Sequence, residues 1–140
     1  SGGIEMLDQG RQHIAPGAEH PAYNSTPASS GWHYGAEAQW KEYNEPVVYE
    51  LQVHNLEHGG VIVHYRQDRI TDTDTEQLQA LYQSLKKEYK KIILVPDTQM
   101  STAYAVTAWS WIDAMDVYDE GRIRAFVKEH YNDAPESFVE

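Results

Sequence analysis

Seven histidines punctuate the chain, His13, His20, His33, His54, His58, His64 and His130, and all but the last fall in its first half. A neutral imidazole offers one ring nitrogen to an ion while the other is oriented by a nearby acceptor, so histidines on loops and element ends are raw material for a metal site. Any one of them taken alone is as readily a surface or core residue. The sharpest local feature is His54-Asn55-Leu56-Glu57-His58. Two imidazoles four positions apart with a carboxylate between them could hold a metal, with the carboxylate beside a metal-bound water. His33 ends the segment Tyr23-Asn24-Ser25-Thr26-Pro27-Ala28-Ser29-Ser30-Gly31-Trp32-His33. Its Asn, Ser, Pro and Gly content is turn chemistry that can aim a side chain. Met100 closes the polar run Asp97-Thr98-Gln99-Met100, where a thioether either packs back as a plug or ligates. Three imidazoles with one thioether suit copper, because soft sulfur selects Cu(I) and imidazole accepts both oxidation states; three imidazoles with water suit zinc. The expected ligands are His33, His54, His58 and Met100. Glu57 is expected to orient an imidazole or to cap the turn.

The elements that would position these groups follow from periodicity. Residues before Val47 are irregular and rich in Pro and Gly, and read as an ordered arm. Val47–Val53 and Val61–Tyr65 are β-branched and aromatic with near alternation, which predicts an antiparallel hairpin with HNLEH at its connecting end. That context argues against the long helix on which zinc peptidases of the H-x-x-E-H type carry their ligands. Thr73 and Glu76 have capping-box spacing, and Leu78, Leu81, Tyr82, Leu85 and Tyr89 recur at helical intervals, predicting a helix from about Asp74 to Lys90. Strands are expected at Lys91–Val95 and Ala103–Ile112, which would set Trp109 and Trp111 on one strand face. A final helix capped by Asp119 should bury Ile123, Phe126, Val127 and Tyr131. The sum is an α+β fold: an antiparallel sheet, about two amphipathic helices on one face, and an N-terminal arm.

The chain has 140 residues, enough for one domain with a real core, and residues 13–140 read as that domain. Residues 1–12, opening Ser1-Gly2-Gly3, read as a linker or an expression-derived tail. Lys and Arg total 11 against 22 Asp and Glu, a net charge of -11 that repels phosphate backbones and favours cations. Nucleic acid is not an expected partner. Cysteine is absent, which excludes disulfides, thiolate zinc sites, iron–sulfur clusters and thiol nucleophiles. No stretch approaches the roughly 20 apolar residues of a transmembrane helix. Phosphate loops and nucleophile elbows are missing as well.

The segments YNSTPASSGWHYG and VHNLEHGGVIVHY, followed by TAWSW and FVKEHYNDAPES, resemble a family of bacterial exported proteins known as domain of unknown function 3105. The resemblance runs from about His13 to Glu136. Ala28 and Ser29 stand where the family pattern has Pro and Thr. The resemblance implies export to the periplasm or cell surface, with anchoring through an upstream segment, and it carries His33, His54, Glu57 and His58 as matching positions. It supplies no activity. The leading expectation is an exported copper-binding protein for storage, delivery or detoxification, with a copper donor or acceptor protein as partner. The alternatives are a zinc-dependent hydrolase with Glu57 as general base, and a metal-free structural or interaction domain.

Overall fold

A computed structural model describes residues 3–139; the first two residues of the expected tail lie outside it. Among the described residues seven strands and three α-helices follow one another: β1 (Ile4–Glu5), β2 (His13–Ile14), β3 (His33–Tyr34), α1 (Tyr49–Glu57), β4 (Val61–Tyr65), α2 (Asp72–Glu88), β5 (Ile92–Pro96), β6 (Tyr104–Ala108), β7 (Trp111–Met115) and α3 (Glu120–His130). This is an α+β fold. The main sheet has the order β1-β7-β6-β4-β5, and β2 and β3 form a separate parallel pair. Every pairing in the main sheet is antiparallel except β4 with β5. Those two run parallel because α2 carries the chain back across the sheet between them, as a crossover helix does. Ile4 and Glu5, within the stretch expected as a linker, pair with Ile112 and Trp111 of β7.

Alternation along β4 divides the interior in two. Val61, Val63 and Tyr65 join Leu78, Leu81 and Leu85 of α2 and Ile123, Phe126 and Val127 of α3 in one cluster. Ile62 points the other way, with Ile93 and Val95, and packs against Val53 and Leu56 of α1. The sheet therefore separates α2 and α3 from α1 and the arm.

Three expectations are corrected. Val47–Val53 is not a strand and makes no hairpin with β4; most of it is α1, and β4 pairs with β5 and β6 instead. The reason is burial on both sides. Gln52 through Glu57 are all buried, between the sheet on one side and the arm on the other, so the segment has no polar stripe and hence no helical period. Ala103–Ile112 is not one strand but β6, a two-residue turn at Trp109-Ser110, and the start of β7. Ser110, the second turn residue, takes a φ of 66°, and no Gly or Asn stands there to announce it. Trp109 and Trp111 consequently fall in different places, Trp109 with the α1 cluster and Trp111 against the α2/α3 cluster. The cap of α2 lies two residues earlier than its expected position. Thr71 Oγ1 accepts from Asp74 N at 3.0 Å, and the Asp74 carboxylate accepts in return from Thr71 N. Thr71→Ala should lower stability by about 1 kcal/mol in urea unfolding, and Thr73→Ala by much less.

Among the described residues no helix is long and apolar enough to cross a membrane.

Candidate metal centre

The arm brings its histidines to α1 through backbone pairing. β2 and β3 lie parallel in a register that sets His13 beside His33. His33 N donates to Gln12 O at 3.0 Å and Gly31 N to Gly10 O at 3.1 Å. The loop leading to His33 is braced internally: Tyr23 Oη donates to Trp32 O at 2.6 Å and Ser25 Oγ to Pro27 O at 2.7 Å. Gly31 has a φ of 114°, and a Cβ there would meet the Tyr23 ring at 3.1 Å, so this bend takes glycine. On the facing side His54, Glu57 and His58 sit at i, i+3 and i+4 on the last turn of α1 and share one helix face. Gly59, with a φ of 93°, then turns the chain towards β4; a Cβ there would come within 2.9 Å of the Asn132 backbone.

The two sides meet on the Glu57 carboxylate, which is 1% exposed. His33 Nε2 lies 3.0 Å and His13 Nε2 3.4 Å from Glu57 Oε1. The rings of His13, His33 and His54 are 4.8 to 5.2 Å apart, centroid to centroid. One donor atom each from His13, His33, His54 and Glu57 fall within 4.8 Å of one another. Bonds of about 2.1 Å to a tetrahedral ion put ligand atoms about 3.4 Å apart, so the group has to close slightly around one.

Tautomers follow from the outer hydrogen bonds. His33 Nδ1 is 2.7 Å from Gly31 O and His54 Nδ1 is 2.7 Å from Tyr34 O. A carbonyl only accepts, so each Nδ1 carries the proton and Nε2 is the ring nitrogen left for a ligand. Burial pushes the His33 pKa below its ordinary value, outweighing the Gly31 carbonyl and Glu57 carboxylate that act to raise it. A neutral His33 then places a lone pair against a carboxylate oxygen at 3.0 Å. Such a pair is stabilised only by a shared proton or a cation between the two atoms.

Of the residues expected to ligate, the structure brings His33 and His54 together, and with them Glu57, expected only to orient an imidazole or to cap the turn. Glu57 belongs to the group of donor atoms itself. His58 is adjacent, its ring 4.6 Å from that of His54, but its Nδ1 lies 2.5 Å from Glu37 Oε1 and its Nε2 3.7 Å from Glu136 Oε1. Met100 is not with them. It follows β5, whose Pro96 pairs with Tyr65, whereas the histidine group lies at the Val61 end of β4, a strand about 13 Å long. Met100 is 1% exposed, its amide held by the Asp97 carboxylate at 2.8 Å and its carbonyl by Arg66 at 2.8 Å. Its thioether is a packing group, which is why an apolar side chain stands in a polar loop.

His13 is the member of this group that sequence reasoning missed. Nothing in Gln12-His13-Ile14 announces it, because a two-residue strand leaves no period to read. The other histidines are elsewhere. His20 pairs with Glu50 at 2.8 Å, His64 lies in the core with Thr107, and His130 packs between Trp111 and Phe126.

No curated protein and no solved structure matches the chain. A family model described as "Protein of unknown function (DUF3105)" does match, over residues 15–139. Nearly the whole chain is covered, the loop before His33 and the His54–His58 turn included, and the chain belongs to that family.

Proposed function

We propose that the protein binds a divalent transition metal in an exported compartment, with His13, His33, His54 and Glu57 as ligands and copper as the preferred ion. The observation that carries the reading is the pair of backbone-anchored imidazoles, His33 and His54, whose Nε2 lone pairs converge with His13 on a buried carboxylate. Anchoring of Nδ1 by a carbonyl is how proteins orient a metal-bound histidine. A set of three imidazoles and one carboxylate contains no soft sulfur, so it favours Cu(II) over Cu(I). In the general affinity order Cu(II) lies above Zn(II), which is the natural competitor. Storage, delivery or detoxification of copper suits a site of this kind, with a copper donor or acceptor protein as partner. Export rests on the likeness of the loop and HNLEH motifs to the family pattern. Helical placement of HNLEH gives the zinc hydrolase reading the spacing it needs, but Glu57 Oε1 faces two imidazoles rather than standing across from a bound water.

His13 provides the test. Half of its side chain is exposed, so His13→Ala leaves the core untouched. Competition titration of chelator-free protein against a Cu(II) chelator should show affinity falling by about 10- to 100-fold in this variant, with thermal unfolding of the apo form unchanged. Wild-type protein that takes up neither Cu(II) nor Zn(II) would rule the reading out.

A further inference from the structure

Beside the histidine group, Glu57, His58 and Glu136 form another set whose donor atoms lie within 4.8 Å of one another. They belong to distant parts of the chain, and the fold goes to some length to assemble them. Glu136 N donates to Glu57 O at 2.9 Å and Asn132 N to Gly59 O at 2.9 Å. Lys91 Nζ spans His58 O at 2.6 Å and Ser137 O at 3.0 Å. The segment after α3 is thus laced onto the corner that ends α1.

The Glu57 carboxylate faces both sets. Its Oε1 is the oxygen next to His33 and His13; its Oε2 lies 3.9 Å from Arg11 Nη1. The same Arg11 nitrogen lies 3.8 Å from Glu136 Oε2. A cationic group therefore already sits between the two carboxylates, and it belongs to a side chain that is 47% exposed and easily displaced. His58 supplies the remaining donor. Its Nε2 lies 3.7 Å from Glu136 Oε1, while its Nδ1 lies on the other side of the ring, 2.5 Å from Glu37 Oε1.

We infer that Glu57 bridges two divalent cations, one oxygen to each, the second ion being held by Glu57 Oε2, His58 Nε2 and Glu136 in place of the Arg11 guanidinium. Metal pairs on a shared carboxylate are typically about 3.5–4 Å apart, a spacing a bidentate bridge spans. The remaining grouping, Glu37 with His54 and His58, cannot act alongside the histidine group, because His54 has a single free nitrogen and the first ion uses it. With two carboxylates and one imidazole the second set is harder than the first. With fewer nitrogen donors it binds a divalent transition ion more weakly than the first set does. Glu57 as the common ligand makes this inference rest on the first site.

The test is ion stoichiometry. Chelator-free apo protein is titrated with Zn(II) by calorimetry, and bound ions are counted by native mass spectrometry. Wild-type protein should take up two ions of unequal affinity. His58→Ala and Glu136→Gln should each retain the tight ion and lose the weak one. Arg11→Gln should tighten the weak one by about tenfold, because the competing charge is gone. One ion in the wild type and in every variant overturns the bridge while leaving the first site standing. Two ions that persist in both His58→Ala and Glu136→Gln overturn it as well. No ion in the wild type removes the first site and the bridge together.

Discussion

His33→Ala is expected to lower the affinity for Cu(II) by more than about 100-fold, while Met100→Ala leaves it unchanged and costs the apo protein about 2–5 kcal/mol of stability. The two residues are comparably buried, at 0% and 1% exposure, so burial alone does not separate them. Position does. The His33 ring is aimed by the Gly31 carbonyl, and its free nitrogen meets Glu57 Oε1 at 3.0 Å. Its loss takes away a ligand that stands directly against the buried carboxylate. Met100 lies at the far end of β4 and β5, and its truncation opens a cavity where no imidazole converges. Chelator competition beside urea unfolding of both apo variants reads the two effects separately. Loss of copper affinity in Met100→Ala would return the thioether to the site. Unchanged affinity in His33→Ala would empty the site of its central ligand.

The second large effect is on acid stability. His64 is fully buried on β4, with Nε2 2.9 Å from Thr107 Oγ1 and, among the described residues, no hydrogen-bond partner for Nδ1. Desolvation pulls its pKa from the ordinary 6.5 down to about 4, against the opposing pull of the Asp97 carboxylate, itself occupied by Tyr49 Oη and the Gln99 and Met100 amides. Because the unfolded chain accepts a proton at a higher pH than the folded one, the neutral His64 contributes stability that is present above pH 6.5 and is lost as pH falls towards 4. The loss is on the order of 3 kcal/mol over that window. Burial of His33 acts in the same direction. Urea unfolding of the apo protein at pH 7 and pH 4.5 should show a steep decline for the wild type and a shallower one for His64→Gln, whose amide still reaches Thr107. Identical declines would mean that other groups set the acid limit.

Residue types announced the chemistry of the site more clearly than they announced its geometry. HNLEH and the turn-rich loop before His33 were legible because their composition is local; the first carries the Glu57 carboxylate and the second ends on the imidazole that meets it. α2 and α3 were legible for the usual reason that one apolar face is buried and the other is wet; Leu78, Leu81, Tyr82 and Leu85 mark it in α2. α1 was not. Val47, Tyr49, Leu51 and Val53 alternate as a strand would, and only the arm lying over the helix makes its burial uniform. His13 and Met100 failed in opposite ways. The first acquires its role from a pairing register thirteen residues into an irregular arm. The second stands in polar company in the sequence but turns into the core. Polar neighbours along the chain say little about which way an unbranched side chain folds back.

The register of His13 against His33 has a topological consequence. An ion held by His13, His33 and His54 ties together three points spaced twenty and twenty-one residues apart along the chain. Those two closed loops contain most of the irregular segment, which has little regular structure of its own to resist opening. In a protein with no cysteine, such an ion acts as a disulfide does in a small fold, by restricting the opened chain as well as by bonding in the closed one. Unlike a disulfide, this link can be graded. Its contribution grows with the logarithm of free ion concentration, reaching about 4 kcal/mol at a thousand times the dissociation constant. The arm would then report metal availability through its susceptibility to cleavage, long before the sheet beneath it loosens.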